Sequence, residues 1–449
     1  MNVPASLLIL FLLLTLLVAA AVFLRRAGIL KTLVTMSAKL ACSAHHISGL
    51  SEKRIRRDLQ SYSPLFRLVS IQQRVDGTSA TLANLVTVRA HYHPQLGSRL
   101  CKPPPEVARG DFLEGLATPV RPGHHNPAIT AGSQPLTALL REQIQRDHAL
   151  GLDTRALVVI RGADVLGEAD GVGISAETRL LGWSMTKSLL AMLYGRMEAL
   201  GLAEPTTADL FPEWSADGRS EISLQNLLQM CDGLAFDESY RPASNVTRML
   251  FGGISSSRYA LLRPLANKPG THFSYSSGST NVLARWIHRK LGGTEAALRF
   301  WQREFLRPLG MQDAVMELDE DGVFVGSSYG YASARQWARL GAVLLNKGLI
   351  SIAGQATPLL DRDWVIRATT PNSSHNDPRY GYQLWLNTGG IMPPRYPQLP
   401  ADTMFMLGNR EQKLMIAPSH HAVVVRLGWS AHPYPVEDRF GEILDSLPR

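Results

Sequence analysis

The pattern of apolar and polar positions divides the chain into three parts. Residues 4–24 form an apolar run without a charge, long enough to cross the hydrocarbon core of a bilayer as a helix. Residues 25–128 contain a stretch with period-two alternation over residues 85–92, which predicts a strand, and they end in a Gly-, Pro- and His-rich segment. Residues 129–449 carry the longer periodic segments. We therefore expect a transmembrane anchor, an N-terminal extension with a linker, and a globular domain.

Within the globular domain, the periodicity predicts both helices and paired strands. Helices are expected near residues 135–150, over residues 188–200 and at the end over residues 436–447. Hairpins are expected over residues 156–168 and 412–428. The first and last strands would pair in one antiparallel sheet with helices on its faces, and the middle of the chain would form a mostly helical subdomain. The expected fold class is α/β (α+β).

Ser184 and Lys187 are the most informative residues, because they lie three positions apart at the start of a predicted helix. Residues i and i+3 share one face of a helix, so the ammonium of Lys187 can lie beside the hydroxyl of Ser184. A serine alone is a poor nucleophile at neutral pH and needs such a partner to remove its proton. The spacing indicates a nucleophilic serine, although Ser-x-x-Lys also recurs by chance.

A second motif, Tyr275-x-Ser277, follows about ninety residues later on a loop before a helical run. A phenol near two cations has a lowered pKa and can act as general base. The hydroxyl of Ser277 would join a proton shuttle or bind Lys187. The alternative interpretation is a tyrosine packed over a helix start in an ordinary turn.

Together, the two motifs resemble those of the class C-like serine hydrolases with the β-lactamase and penicillin-binding-protein fold. The similarity is greatest to the subgroup of 6-aminohexanoate-dimer hydrolases and runs from about residue 154 to about residue 428. Flanking segments at residues 221–238, 305–311 and 331–341 agree with it. The resemblance implies a β-lactamase/DD-peptidase-like fold and acyl transfer through a serine.

The third motif of that family, His-x-Gly or Lys-Thr-Gly on an edge strand, is altered in this chain. Asn409 stands in the place of the histidine and Glu411 in the place of the glycine. The resemblance implies that a backbone N–H here, of Glu411 or Gln412, joins that of Ser184 in an oxyanion hole. A glutamate at this position would narrow the cleft or repel a substrate carboxylate, so we expect altered specificity.

Aromatic residues alternate over residues 380–385, which predicts a strand. Packing is one interpretation, and the resemblance makes Trp385 a candidate wall of the substrate cleft.

Several histidines occur in pairs, but none has a nearby third ligand at metal-site spacing. We expect no metal and no other cofactor. The paired histidines are His45, His46, His91, His93, His124, His125, His420 and His421.

The chain of 449 residues has a formal net charge of +8, which raises the question of an acidic partner. Its basic residues are dispersed apart from a cluster at residues 53–57, and no nucleic-acid motif accompanies them. That cluster is either a solvated helix face or a contact for anionic lipid headgroups. The expected partners are a small-molecule or peptide-like amide or ester substrate and a membrane, not nucleic acid; the oligomeric state is not indicated.

The length of the run at residues 4–24, with no Lys or Arg before it, favours an uncleaved anchor over a removable signal peptide. The alanines at residues 19–21 leave cleavage open. Arg25 and Arg26 would hold the following domain in the cytoplasm by the positive-inside rule.

The cysteines favour the opposite side of the membrane. A bridge between Cys42 and Cys101 would need an oxidising compartment, the alternative being two unpaired thiols. The resembled hydrolases mostly act outside the cytoplasm. We expect a membrane-anchored, extracytoplasmic or periplasmic domain.

The expected function is a membrane-anchored serine hydrolase that cleaves an amide or ester through an acyl-enzyme on Ser184, with Lys187 and Tyr275 moving protons. Two alternatives remain. One is a β-lactamase or DD-peptidase acting on cell-wall-type substrates. The other is a catalytically silent relative that only binds a ligand.

Overall fold

The computed structural model describes residues 28–100, 134–162 and 164–447, together with the isolated positions 11 and 15. Apart from those two positions, the span predicted over residues 4–24 lies outside this description. Across the described part of the chain, no helix combines the length and apolar character that crossing a membrane requires.

An N-terminal layer of two helices and a four-stranded antiparallel sheet precedes the main body. Helix α1 packs on β2 and β3 and buries Cys42 completely, while its predicted partner Cys101 lies outside the described residues. The predicted strand over residues 85–92 corresponds to β3. The elements are α1 (Ile29–His46), α2 (Glu52–Gln60), β1 (Val69–Arg74), β2 (Gly77–Leu82), β3 (Val86–His93) and β4 (Gly97–Arg99).

The main body begins with a helix, a hairpin and a mostly helical stretch. In chain order its elements are α3 (Gln134–Ala149), β5 (Thr154–Arg161), β6 (Asp164–Asp170), β7 (Leu180–Leu181), α4 (Met185–Ala199), α5 (Leu224–Leu228), α6 (Asn245–Phe251), α7 (Ser256–Leu261), α8 (Ser277–Leu291), α9 (Thr294–Phe300) and α10 (Arg307–Leu309). A π-helical turn over Trp301–Leu306 joins the last two helices.

The chain then returns to strands. These elements are β8 (Val315–Met316), β9 (Gly330–Ala332), α11 (Ala334–Leu345), β10 (Leu349–Ile352), β11 (Gln355–Pro358), α12 (Arg362–Ala368), β12 (Trp385–Leu386), β13 (Met404–Gly408), β14 (Gln412–Ala417), β15 (Ala422–Gly428) and α13 (Val436–Asp445). Short antiparallel sheets form from β7, β9 and β8 and from β10 and β11.

A six-stranded antiparallel sheet in the order β12-β13-β14-β15-β5-β6 is the centre of the main body. Strands β5 and β15 are neighbours, so the predicted pairing of early and late strands in one sheet is confirmed. Alternate side chains of a strand point to opposite faces. Leu157 and Val159 therefore join the core under α3 and α13, and Val158 and Ile160 join the core that includes α4 and α11.

The strand predicted over residues 380–385 is wrong for most of its length. Only Trp385 belongs to a strand, and a single bridge links it to Tyr380. Gln383 lies between them with φ at 51°, a left-handed conformation that strands do not tolerate. The aromatic rings meet across this turn, with the centroids of Tyr380 and Trp385 4.7 Å apart. Ring packing, not strand pleating, explains the alternation.

A buried ion pair fastens the N-terminal layer to the main body. The ammonium of Lys39 on α1 binds the carboxylate of Glu317, and both side chains are almost fully enclosed. Glu317 also accepts hydrogen bonds from the Ser43 hydroxyl at 2.9 Å and the Ser98 backbone N–H at 2.6 Å. With these partners the buried carboxylate is satisfied, because each of its oxygens has a donor.

Lys39→Met should lower the free energy of unfolding by about 3–5 kcal/mol, because it leaves the Glu317 carboxylate buried without its cation. The measurement is urea unfolding of the full chain followed by tryptophan fluorescence. Arg56→Met is the matched control, since its pair with Glu52 is exposed and should contribute less than about 1 kcal/mol. An equal loss in both variants would contradict the role assigned to the buried pair.

Candidate active site

Ser184 lies at the entry to α4, immediately after a strained residue. Trp183 has φ at 48° although its ring is buried, a conformation that is unfavourable for a bulky side chain. Such strain is found where the surrounding structure holds a functional group in place. Among the described residues, no hydrogen bond uses the backbone N–H of Ser184, so this donor is free to bind an oxyanion.

Lys187 connects three elements through its ammonium. Its Nζ donates to the Ser184 Oγ, the Ser277 Oγ and the backbone oxygen of Ser327, each at 2.9 Å. The first acceptor lies one helical turn back on the same face, as the spacing predicted. The structure therefore brings Ser184, Lys187 and Ser277 together.

Burial lowers the pKa of Lys187 to about 8, while the carboxylate of Glu238 acts in the opposite direction. Taking an ammonium out of water disfavours its charged form. A part of the molecules thus carries a neutral amine at neutral pH. That amine is placed to accept the proton of Ser184.

The lowered pKa predicted for Tyr275 is wrong. Burial raises its pKa, the nearby carboxylate of Glu238 raises it further, and a hydrogen bond with Ser184 opposes the shift. The expectation assumed two cations. The structure places one cation near the phenol, Lys187, whose Nζ lies 5.0 Å from the ring centroid. It also places the carboxylate of Glu238 nearby, and this negative charge raises the pKa of the phenol. Tyr275 is therefore a neutral phenol that can donate or relay a proton, and the neutral amine of Lys187 is the base that is populated near neutral pH.

Glu238 is the site residue that the sequence analysis missed. It accepts hydrogen bonds from the Ser277 backbone N–H at 2.8 Å and from the Ser277 Oγ at 2.5 Å. The Ser277 hydroxyl thus bridges Lys187 and Glu238. The only signal for Glu238 in the sequence was its position at the end of the segment of residues 221–238, which agrees with the resembled family.

The altered third motif forms the turn between β13 and β14. Asn409 and Glu411 line the cleft, but Gln412 is buried in the sheet, where its side chain donates to the Gly428 backbone oxygen at 2.5 Å and accepts from its N–H at 2.9 Å. The predicted second oxyanion donor, the backbone N–H of Glu411 or Gln412, stays a prediction, because the contacts of the Gln412 side chain do not involve its backbone N–H, while the Glu411 side chain faces a cation. The carboxylate of Glu411 pairs with Lys413 at 3.0 Å, so the predicted repulsion of an anionic substrate is balanced locally.

Ser184, Tyr275 and the third-motif turn open onto one cleft of about 830 Å³. This size lies within the range of small-molecule sites. Trp385 lines the cleft and stacks on Tyr275, with ring centroids 5.1 Å apart. In the part of the chain that the structure covers, no three His, Cys, Asp or Glu side chains are grouped as metal ligands.

A family model described as Beta-lactamase matches residues 136–443. Among curated proteins, the 6-aminohexanoate-dimer hydrolase of Paenarthrobacter ureafaciens is 27% identical over 208 residues, which are 44% of this chain and 53% of that protein. The chain therefore spans about half the length of this relative.

Solved structures show the same fold at low sequence identity. EstCE1, a hydrolase with promiscuous acyltransferase activity, has a TM-score of 0.55 at 15% identity, covering 70% of this chain and 99% of its own. A penicillin-binding protein from Bacillus halodurans has a TM-score of 0.50 at 15% identity, with 68% and 99% covered.

The rate at which a fluorophosphonate labels Ser184 should rise with pH and reach half its maximum near pH 8, because only neutral Lys187 accepts the serine proton. Labelling of the purified full chain would be followed over time from pH 6 to pH 10.

Glu238→Gln should move this midpoint to lower pH, since it removes the charge that raises the pKa of Lys187. Glu221→Gln, at an exposed position outside the cleft, is the control and should leave the midpoint unchanged. A labelling rate independent of pH over this range would rule out Lys187 as the base.

Proposed function

We propose that this chain, which belongs to the β-lactamase family, is a serine hydrolase. It would cleave an amide or ester through an acyl-enzyme on Ser184. The observation that carries the proposal is the position of Lys187 Nζ, 2.9 Å from the Ser184 Oγ and buried enough to be partly neutral. A silent relative has no chemical need for this arrangement. Two similar proteins, 6-aminohexanoate-dimer hydrolase and EstCE1, are named as hydrolases, which supports a hydrolytic reaction.

The first half of the proposed reaction forms the acyl-enzyme. Neutral Lys187 accepts the proton of Ser184, and the Oγ attacks the substrate carbonyl. The backbone N–H of Ser184 and a second backbone N–H, of Glu411 or Gln412, bind the developing oxyanion. Tyr275, a neutral phenol, then protonates the leaving amine or alcohol and recovers its proton from the lysine through the Ser184–Lys187 contact.

The second half releases the acid product. A water takes the place of the leaving group, and its proton passes through Tyr275 to Lys187 as its oxygen attacks the ester carbon. Collapse of the tetrahedral intermediate returns a proton to the Ser184 Oγ. Glu238, held by Ser277, compensates the positive charge that Lys187 carries within each half, after it accepts a proton and before it returns it.

A β-lactamase or DD-peptidase activity is the second candidate, and the third motif disfavours it. The family position for a histidine or lysine is Asn409, which carries no positive charge, and the guanidinium of the neighbouring Arg410 is stacked on Tyr62 at 3.5 Å from the ring centroid. Glu411 stands where the family has glycine. An uncharged or weakly polar ester or amide fits this turn better.

We also propose that residues 4–24 anchor the chain in a membrane with the hydrolase domain outside the cytoplasm. The apolar run supports the anchor. Deleting residues 2–24 should move the chain from a carbonate-washed membrane pellet to the supernatant. A chain that stays in the pellet would show another means of attachment, and protection of the full chain from protease in intact spheroplasts would place its domain in the cytoplasm.

Ser184→Ala should reduce hydrolysis of p-nitrophenyl acetate about 10³-fold or more and abolish fluorophosphonate labelling, since it removes the nucleophile. Tyr275→Phe should lower kcat for this substrate by about 10²–10⁴-fold while labelling persists, because p-nitrophenolate leaves without a proton but the attacking water still needs the phenol to relay its proton. Ser215→Ala, at an exposed serine, is the control. Turnover that survives in Ser184→Ala would refute the proposed nucleophile.

A further inference from the structure

The N-terminal layer contributes one wall of the cleft. Ile29, Thr32, Leu33 and Met36 of α1 line the same cavity as Ser184. These positions follow the i, i+3, i+4, i+7 spacing of a single helical face. The first two turns of α1 thus present three apolar side chains and one threonine to the cleft, while later turns pack on the N-terminal sheet.

The segment after α2 continues this wall. Leu65 and Phe66 also line the cleft, beside the stripe of α1. Leu65 remains 41% exposed although it is apolar. Phe251 and Trp385 add further apolar surface to the lining of the cleft. Exposed apolar surface that lines a cavity is stabilised when an apolar ligand covers it.

The charged side chains of Arg410 and Glu411 that line the cleft belong to the third-motif turn, whereas the wall of α1 and residues 62–66 carries only the uncharged polar groups of Thr32, Tyr62 and Ser63. Ser184, Tyr275 and the turn at residues 409–411 supply the nucleophile, the proton donor and the amide dipoles. No charged side chain of α1 lines the cavity within its described part. A charged group at the far end of a substrate would lose its hydration against this wall without a partner.

We propose that the cleft takes amphiphilic esters or amides whose acyl group is a long apolar chain, laid against the wall formed by α1 and residues 62–66. The proposal rests on the hydrolase function and names its substrate class. The reactive carbonyl lies at Ser184, and the chain runs along the helical stripe. Each CH₂ that the wall covers would contribute about fourfold to kcat/KM.

The sequence before α1 supports an amphiphilic substrate. The predicted membrane span ends at Leu24, five positions before Ile29. Five residues extend over at most about 18 Å. If the span crosses a bilayer, the apolar wall lies close to the membrane surface, where acyl chains are concentrated.

Hydrolysis of p-nitrophenyl decanoate and acetate by the full chain tests the proposal. The protein is kept in a sterol-based detergent so that no alkyl detergent competes for the cleft. We expect kcat/KM to favour decanoate about tenfold or more. Leu65→Asp should lower the decanoate-to-acetate ratio about tenfold. The matched control is Leu68→Asp, at a more exposed leucine of the same turn that does not line the cleft, and it should leave the ratio unchanged.

The outcomes separate the two proposals. Acetate turnover without preference for decanoate, or equal effects of the two aspartate variants, would overturn the acyl-chain site while the hydrolase function stands. If no ester is cleaved, the esterase form of the hydrolase function fails and only the amidase form stands. Calorimetry with Ser184→Ala then measures whether decanoate binds to the proposed acyl-chain site. Binding that Leu65→Asp weakens would support the site, and no binding would refute it.

Discussion

The desolvation of one ammonium group determines how the site is built. Lys187 is enclosed, and its three hydrogen-bond acceptors come from three separate parts of the chain: the entry of α4, the start of α8 and the loop before β9. Burying a cation is costly unless each of its donors has a partner. The same enclosure lowers the pKa of Lys187, so the cost of burial and the basicity of the amine have one physical origin.

The supports of this lysine extend into the N-terminal layer. The Ser327 oxygen that accepts from Lys187 lies on the stretch between β8 and β9, and the same stretch contains Tyr329, whose ring lies 4.0 Å from Lys39 Nζ. Lys39 in turn neutralises Glu317 just after β8. Two buried cations, one on α1 and one on α4, therefore flank a single short segment of the main body.

Local periodicity was sufficient to predict much of the fold and half of the site. The i, i+3 spacing placed Ser184 beside Lys187 because helix geometry is local. Glu238 and the Ser327 oxygen were missed because their contacts with the site depend on long-range packing. The pKa of Tyr275 was predicted in the wrong direction for the same reason, and the hydrogen bonds that hold the Gln412 side chain against Gly428 were not foreseen because they join two neighbouring strands.

The family model begins at residue 136, but the physical unit of folding begins about a hundred residues earlier. Asp58 of α2 forms a buried ion pair with Arg155 at 2.6 Å, and the ring of Trp429 packs on Tyr62. A fragment cut at the family boundary would expose an apolar face, leave the Glu317 carboxylate without Lys39 and leave Arg155 with Asp153 as its remaining carboxylate partner. Such a surface favours aggregation. The matched range of the family model thus contains the catalytic residues, while a soluble fold also depends on residues that precede this range.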